Sequence, residues 1–573
     1  MVETNRKKRR KLLNGFASMG EIVSEKRAKE MRKKKKLPVT VLSGFLGAGK
    51  TTLLKHILKT IGDSLRIALI VNDMGSINLD GLEIKSHGLI QEKAEMVELQ
   101  NGCACCTLRG DLLKTVKMFA LKQDEETGDF LYDYLIVEST GIAEPLPVAQ
   151  TFVLDCDEGN DHDDHDDHDH DIELLQNFAH LDTMVTVVDA NNFLTVLSGI
   201  DSIAERQRLL GKDGVSKTIQ TREEQLANTL PVDASDSKEE KKCEENIVQE
   251  EEEEEEKSLS QLLLDQIEFS NVILVNKADL LIKEFGEEVG KRKLGQIVEL
   301  LKKLNPVAKV IAPSKAYFKD FPPTSIMNTN LFDMKKAQES SGWLKELDME
   351  EKGIKHVSEM KKYDISSMMF CNYKKPFHPE RLAAILSGFG QLDKTSVGDN
   401  DSAIFAGVVR AKGQLWIANI HACPVDIHCA GRQLEMAPLS DSPFCGAVYD
   451  FIETVEGNND NNNDFTKEDI DTLREQASSR KKVCMSAGKW NEKFGDRHSK
   501  LVCIGISLDK NGIQKALEDA LLTDEEMKDI SLWKELPNPF FGENEENGGQ
   551  LFELDASFFL DEDDCDDEIE EEQ

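Results

Sequence analysis

Residues 44–51 read Gly-Phe-Leu-Gly-Ala-Gly-Lys-Thr, an instance of G-x-x-x-x-G-K-[ST], and their flanks limit the fold more than any other feature of the chain. Ahead of them lies an apolar, β-branched run, Pro-Val-Thr-Val-Leu-Ser (38–43). Behind them comes Leu-Leu-Lys-His-Ile-Leu-Lys-Thr-Ile (53–61), with the apolar spacing of a helix. Strand, glycine turn and helix in that order form a phosphate cradle. Gly44, Gly47 and Gly49, with the small Ala48, let backbone N–H groups face an anion, and the helix amino terminus adds its positive end. Lys50 can reach the β- and γ-phosphates, Thr51 can hold Mg²⁺, and Thr52 follows in the same helical turn. Further apolar runs at 66–72, 134–140, 184–190 and 271–279 alternate with helical patterns. The predicted fold class is therefore α/β, a mostly parallel sheet flanked by helices on both faces.

The base is read elsewhere. Asn276-Lys277-Ala278-Asp279 follows a buried strand run and fits N-K-x-D. Asp279 can accept hydrogen bonds from the N1–H and 2-amino groups of guanine, which adenine cannot match, so the pattern points to GTP. Glu138 ends Tyr-Leu-Ile-Val-Glu (134–138), the place of a Walker B carboxylate that holds Mg²⁺ through water or orients the attacking water. The segment 71–80 offers Asp73 and Asp80 where a switch loop would lie. Lys50, Glu138 and Asp73 are thus the candidates for catalysis, with ordinary loop acids as the plainer reading of Asp73 and Asp80.

Twelve cysteines in a chain of this kind are expected to be reduced thiols. Three of them, Cys103, Cys105 and Cys106, fall within four residues. Soft thiolates this close suit Zn²⁺ or Cu(I), with a fourth ligand from elsewhere or from solvent. An open coordination position suits transfer of the ion, because a closed Cys₄ site would hold it too well. Redox chemistry of adjacent thiols is the rival reading. His162, His165, His168 and His170 alternate with aspartates at 161–171, which makes a loose secondary site for Zn²⁺ or Ni²⁺. A solvated acidic loop with incidental histidines is its plainer counterpart.

Composition divides the rest. The net charge of −37 hides two basic blocks, residues 6–11 and 32–36, and two acidic ones, Glu250–Glu256 and Asp561–Gln573. Such blocks repel themselves and stay solvated. The expected organisation is a basic disordered arm (1–37), a P-loop domain (38–335) with disordered inserts at 157–172 and 201–260, a linker (336–362), a smaller α+β domain (363–555) with a flexible loop at 456–466, and an acidic tail (556–573). In the second domain, strand-like runs stand at 403–410, 414–420 and 501–508, and a helical stretch at 511–522. No run of 18 apolar residues could span a bilayer. The amino terminus lacks an apolar signal, and Glu3, Glu21, Glu25 and Glu30 argue against a transit peptide, so a cytoplasmic location is expected. The basic arm leaves a nuclear address open. The acidic balance argues against nucleic acid as the main partner.

These motifs together resemble the CobW family of G3E-class P-loop GTPases, relatives of the urease and hydrogenase nickel-insertion GTPases. The resemblance is carried by residues 44–54, 71–80, 101–112, 137–145, 185–190 and 276–280. In the second domain it continues through 376–382, 405–418, 430–434, Trp490 and 494–506. It implies a carboxy-terminal CobW-type domain and slow intrinsic hydrolysis. It also implies a GTP-dependent metal inserter in which Cys103, Cys105 and Cys106 take the ion, Zn²⁺ ahead of Co²⁺, for delivery to a client metalloprotein. Two departures stand out. The family usually has Glu at the position of Asp73. The family's eukaryotic zinc chaperones serving methionine aminopeptidase carry an amino-terminal Cys-Pro docking motif, whereas this chain has no cysteine before Cys103. A metal buffer with a nucleotide-tuned site, or a regulatory GTPase acting on RNA, are the alternative readings. The client and the oligomeric state, a homo-oligomer included, stay open.

Overall fold

The computed structural model describes residues 31–61, 64–72, 95–99, 105–124, 127–153, 175–198, 258–351, 363–386, 404–457 and 467–541, apart from single positions within them, together with 389, 552 and 554. The chain divides into two compact units, residues 1–196 with 201–342, and residues 197–200 with 343–573. Among the described residues no helix is long and apolar enough to cross a membrane.

Up to residue 342 the chain runs β1 (Leu37–Ser43), α1 (Lys50–Ile61), β2 (Ile67–Asn72), β3 (Glu95–Leu99), α2 (Cys105–Leu121), β4 (Tyr134–Glu138), α3 (Pro145–Gln150), β5 (Ala179–Asp189), α4 (Phe193–Ser198), α5 (Leu259–Glu268), β6 (Val272–Asn276), α6 (Ala278–Phe285), α7 (Glu287–Leu304), β7 (Lys309–Ile311) and α8 (Met334–Gln338). The strands form one sheet in the order β3-β2-β4-β1-β5-β6-β7, parallel throughout. Side chains alternate between its faces. Leu135 and Val137 of β4 pack with Leu112, Val116 and Phe119 of α2, while Tyr134 and Ile136 pack with Leu53, Leu54 and Ile57 of α1. A strand covered on both faces needs apolar residues at every position, which is why these strands read as unbroken runs. Each such leucine, fully buried, contributes about 1.5–3 kcal/mol. Because every strand is parallel, all the carboxyl ends open on one edge, where ligands bind in sheets of this type.

The arm was expected to be disordered to residue 37, yet Arg32 is 2% exposed. Its Nε donates to Ala120 O at the end of α2 (2.5 Å), Nη2 donates to Tyr132 O (2.7 Å), and the guanidinium lies 3.9 Å from the Phe130 ring centroid. A planar fork with several donors can serve both carbonyls and an aromatic face at once.

From residue 342 onward come α9 (Gly342–Glu351), β8 (Ile365–Asn372), α10 (Pro379–Leu386), β9 (Val408–Ile417), β10 (Ile420–Ala430), β11 (Gln433–Pro438), α11 (Cys445–Gly457), α12 (Lys467–Ser486), β12 (Ser499–Ile506) and α13 (Lys510–Asp519). The five strands pair antiparallel in the order β11-β10-β9-β12-β8. The runs at 403–410 and 414–420 are not separate strands. β9 carries straight through Gly413, where an added Cβ would fall 2.0 Å from Lys500 O of β12. β10 has no simple alternation because Pro424 lies within the register shift between Ile420 and Val425, where a missing N–H is tolerated.

Candidate functional site

At the carboxyl end of β1 the chain enters the phosphate turn. Lys50, 8% exposed at the start of α1, donates from Nζ to Gly44 O (2.7 Å), so its ammonium lies over the turn. Thr51 Oγ1 donates to Glu138 Oε1 at 3.4 Å. β4 lies directly beside β1, with Leu42 opposite Glu138 in register, and that pairing delivers the carboxylate to the first turn of α1. Glu138 is 3% exposed. A hydroxyl and a buried carboxylate thus stand side by side, next to a lysine over a glycine turn, and this chemistry fits a divalent cation on a triphosphate.

Asn276 ends β6, and its Nδ2 donates to Ala48 O (2.8 Å), tying the base-reading motif to the phosphate turn. Gly49 allows this approach, since at φ 107° a Cβ there would fall 2.2 Å from Asn276 Nδ2. Lys277 turns the chain into α6 at φ 59°. Asp279 stands exposed in the first turn of α6. Gly44, Gly47, Ala48, Gly49, Lys50, Thr51, Thr52, Glu138, Asn276, Lys277 and Asp279 thus share the carboxyl edge of the sheet.

Two residues enter this neighbourhood that motif reading passed over. Asp189, the tip of β5, accepts from Lys277 Nζ (2.8 Å) and from Asn192 Nδ2 (3.0 Å) at Oδ2, and from Asn191 N–H (3.0 Å) at Oδ1. An acid at the end of a buried run is the same signal that marks Glu138. The other is Gln266 of α5, which reaches the loop after Glu138. A glutamine within an apolar helix carries no signal of that kind.

The side chains of the remaining expected residues are not among those described. Cys105 and Cys106 are the first two residues of α2, described by their backbone alone. Asp73, Asp80, Cys103, His162, His165, His168 and His170 lie outside the described residues.

Known protein families match both parts of the chain. Residues 38–311 match the family described as CobW/HypB/UreG, nucleotide-binding domain, and residues 365–450 match the cobalamin synthesis protein cobW C-terminal domain. The zinc-regulated GTPase metalloprotein activator 1 of Dictyostelium discoideum is 33% identical over 516 residues, 88% of this chain and 84% of that protein. This chain belongs to the CobW family. As a CobW-family protein it is a GTPase, with a parallel P-loop sheet and a separate antiparallel-sheet unit. The zinc chaperone CobW of Pseudomonas aeruginosa is 41% identical to this CobW-family chain over 121 residues, 20% of this chain and 30% of that one. The solved Zn(II)-bound YjiA GTPase from E. coli aligns with 85% of this chain and 99% of its own at 19% identity, with a TM-score of 0.28.

Proposed function

We propose that this CobW-family GTPase binds Zn²⁺ through Cys103, Cys105 and Cys106 and couples GTP hydrolysis to transfer of the ion to a client metalloprotein. The supporting observation is placement. α2 starts at Cys105, just past β3, and β3 belongs to the same parallel sheet as β4 and β1, whose carboxyl ends hold Glu138 and the phosphate turn. The segment 73–94 between β2 and β3 can therefore answer to both sites, with Asp73 and Asp80 on it. In this reading Lys50 neutralises charge on the β- and γ-phosphates and Asp279 selects guanine. Thr51 and Glu138 hold Mg²⁺, which supplies charge neutralisation at the transferred phosphoryl group. Loss of the γ-phosphate then loosens the shared segment and weakens the thiolate site. The relatives' names favour zinc over Co²⁺ as the cargo. The histidines at 162–170 serve as a loose secondary store.

Two ligands that favour the same ordered state must help one another reciprocally, typically by about 1–3 kcal/mol, or roughly 5–150-fold. Zinc titrations should show tighter binding with Mg²⁺ and a non-hydrolysable GTP analogue than with GDP. The gap should vanish when all three cysteines are changed to serine in a protein that still binds GTP. Equal zinc affinity in both nucleotide states would remove the coupling and leave a metal buffer.

A further inference from the structure

After Glu138 the chain passes Ser139 and Gly141 on its way to α3, and it does so against the phosphate turn. A Cβ on Gly141 would stand 2.6 Å from the backbone nitrogen of Leu46. Gln266 of α5 holds this loop from outside. Its Nε2 donates to Gly141 O (3.3 Å) and Ala143 O (3.0 Å), and the residue is 1% exposed. Its backbone carbonyl accepts from Thr186 Oγ1 (2.7 Å), which lies 2.9 Å from Ser43 Oγ. Ser43 ends β1 and leads into the phosphate turn. One line of hydrogen bonds thus runs from the root of that turn, across β5 and through Gln266, to the loop that follows Glu138.

The side-chain amide cannot be turned round, since that would set Oε1 against two carbonyl oxygens. Oε1 is consequently buried with no hydrogen-bond partner among the described residues. A buried acceptor left unmatched is costly, so the two bonds donated by Nε2 are what hold Gln266 in this orientation against the loop.

We propose that Gln266 is a positioning residue for GTP hydrolysis, holding the Gly141–Ala143 loop against the phosphate turn and so aligning Glu138 and the loop backbone with the γ-phosphate. The inference rests on the nucleotide site and is independent of where zinc binds. Gln266→Met keeps length and apolar bulk without the donors, and Gln266→Glu keeps the shape but replaces the donating nitrogen. Basal GTP turnover and GDP affinity are measured on the full chain with Mg²⁺ as the sole added metal. A misplaced reacting group costs up to roughly a hundredfold in rate, so kcat should fall about ten- to a hundredfold while GDP affinity stays within about twofold. Unchanged turnover in a folded variant, or a parallel fall in kcat and GDP affinity, overturns the proposal. Should neither variant fold, Thr186→Val removes one bond further along the line and must show the same split in smaller measure. Its absence counts equally against the role.

Discussion

Lys277 holds φ at 59°, a left-handed conformation that costs a residue with a side chain roughly 1–2 kcal/mol. Asp189 offsets this by fixing the ammonium at 2.8 Å, and is itself 11% exposed at the side chain. The pair therefore holds the turn from Asn276 into α6 in shape. Asp189→Asn should weaken GTP and GDP binding alike, by about 5–30-fold, the equivalent of about 1–2 kcal/mol, with kcat little changed. Titration with a fluorescent GDP analogue checks the first part, and turnover at saturating GTP the second. A loss confined to kcat would assign Asp189 to the chemistry instead. That an acid ends Met-Val-Thr-Val-Val-Asp is plain in the chain, but its partner is not. β5 lies beside β6 because of the strand order, and no local pattern announces that order.

Among the elements, α2 has the most to connect. It begins with Cys105 and Cys106 and ends where Ala120 O accepts from Arg32. Burial pushes the Arg32 guanidinium down to about 10, and the nearby Asp133 pulls the other way, so the group stays charged at neutral pH. Arg32→Met would leave the carbonyls of Ala120 and Tyr132 without these donors, at about 1–3 kcal/mol. Chemical unfolding should show that loss, and Arg32→Lys should recover little of it, because a single ammonium cannot match a planar fork. Full rescue by lysine would mean that charge alone matters there. Residues 32–36 are one arginine followed by four lysines, so the chain sets Arg32 apart by its planar fork. That it is buried follows only from the carbonyls of Ala120 and Tyr132 that it meets.

At the scale of the whole molecule, the second unit should lose stability in acid. In the second unit, burial lowers the pKa of His421 well below its usual value, with Arg497 adding to the effect, and burial also lowers His498. The His421 ring accepts from Trp416 Nε1 (3.1 Å), which requires it neutral at Nδ1. Below about pH 6.5 the unfolded chain takes up protons that these folded histidines refuse. Stability is therefore flat above that pH and falls as pH drops, by at most about 1.4 kcal/mol per unit for each histidine. Glu526, held near 2 by Arg381, adds a further loss below its ordinary range of about 4.5. All four tryptophans, 343, 416, 490 and 533, belong to this unit, so their fluorescence reports its unfolding. The midpoint should fall between pH 6.5 and 5, and His421→Gln should flatten the slope even if it lowers stability at pH 7. A slope unchanged in that variant would place the titration elsewhere.

The phosphate turn, the base motif and Glu138 were legible in the chain because each is a local device, a few adjacent residues between a strand and a helix. The parallel sheet was legible for a related reason, since strands covered on both faces must be apolar throughout. The antiparallel unit was less so. Its β9 and β10 mix polar positions, a glycine and a proline, which the sheet accommodates through neighbours remote in sequence. Asp189, Gln266 and Arg32 belong to the same class. Each acts through a partner supplied by another element, Lys277, the carbonyls after Glu138, and Ala120 with Tyr132. Local order determines which chemistry a segment can offer. Strand order and burial decide which distant group completes it, because a hydrogen bond between elements exists only once packing has brought donor and acceptor within reach.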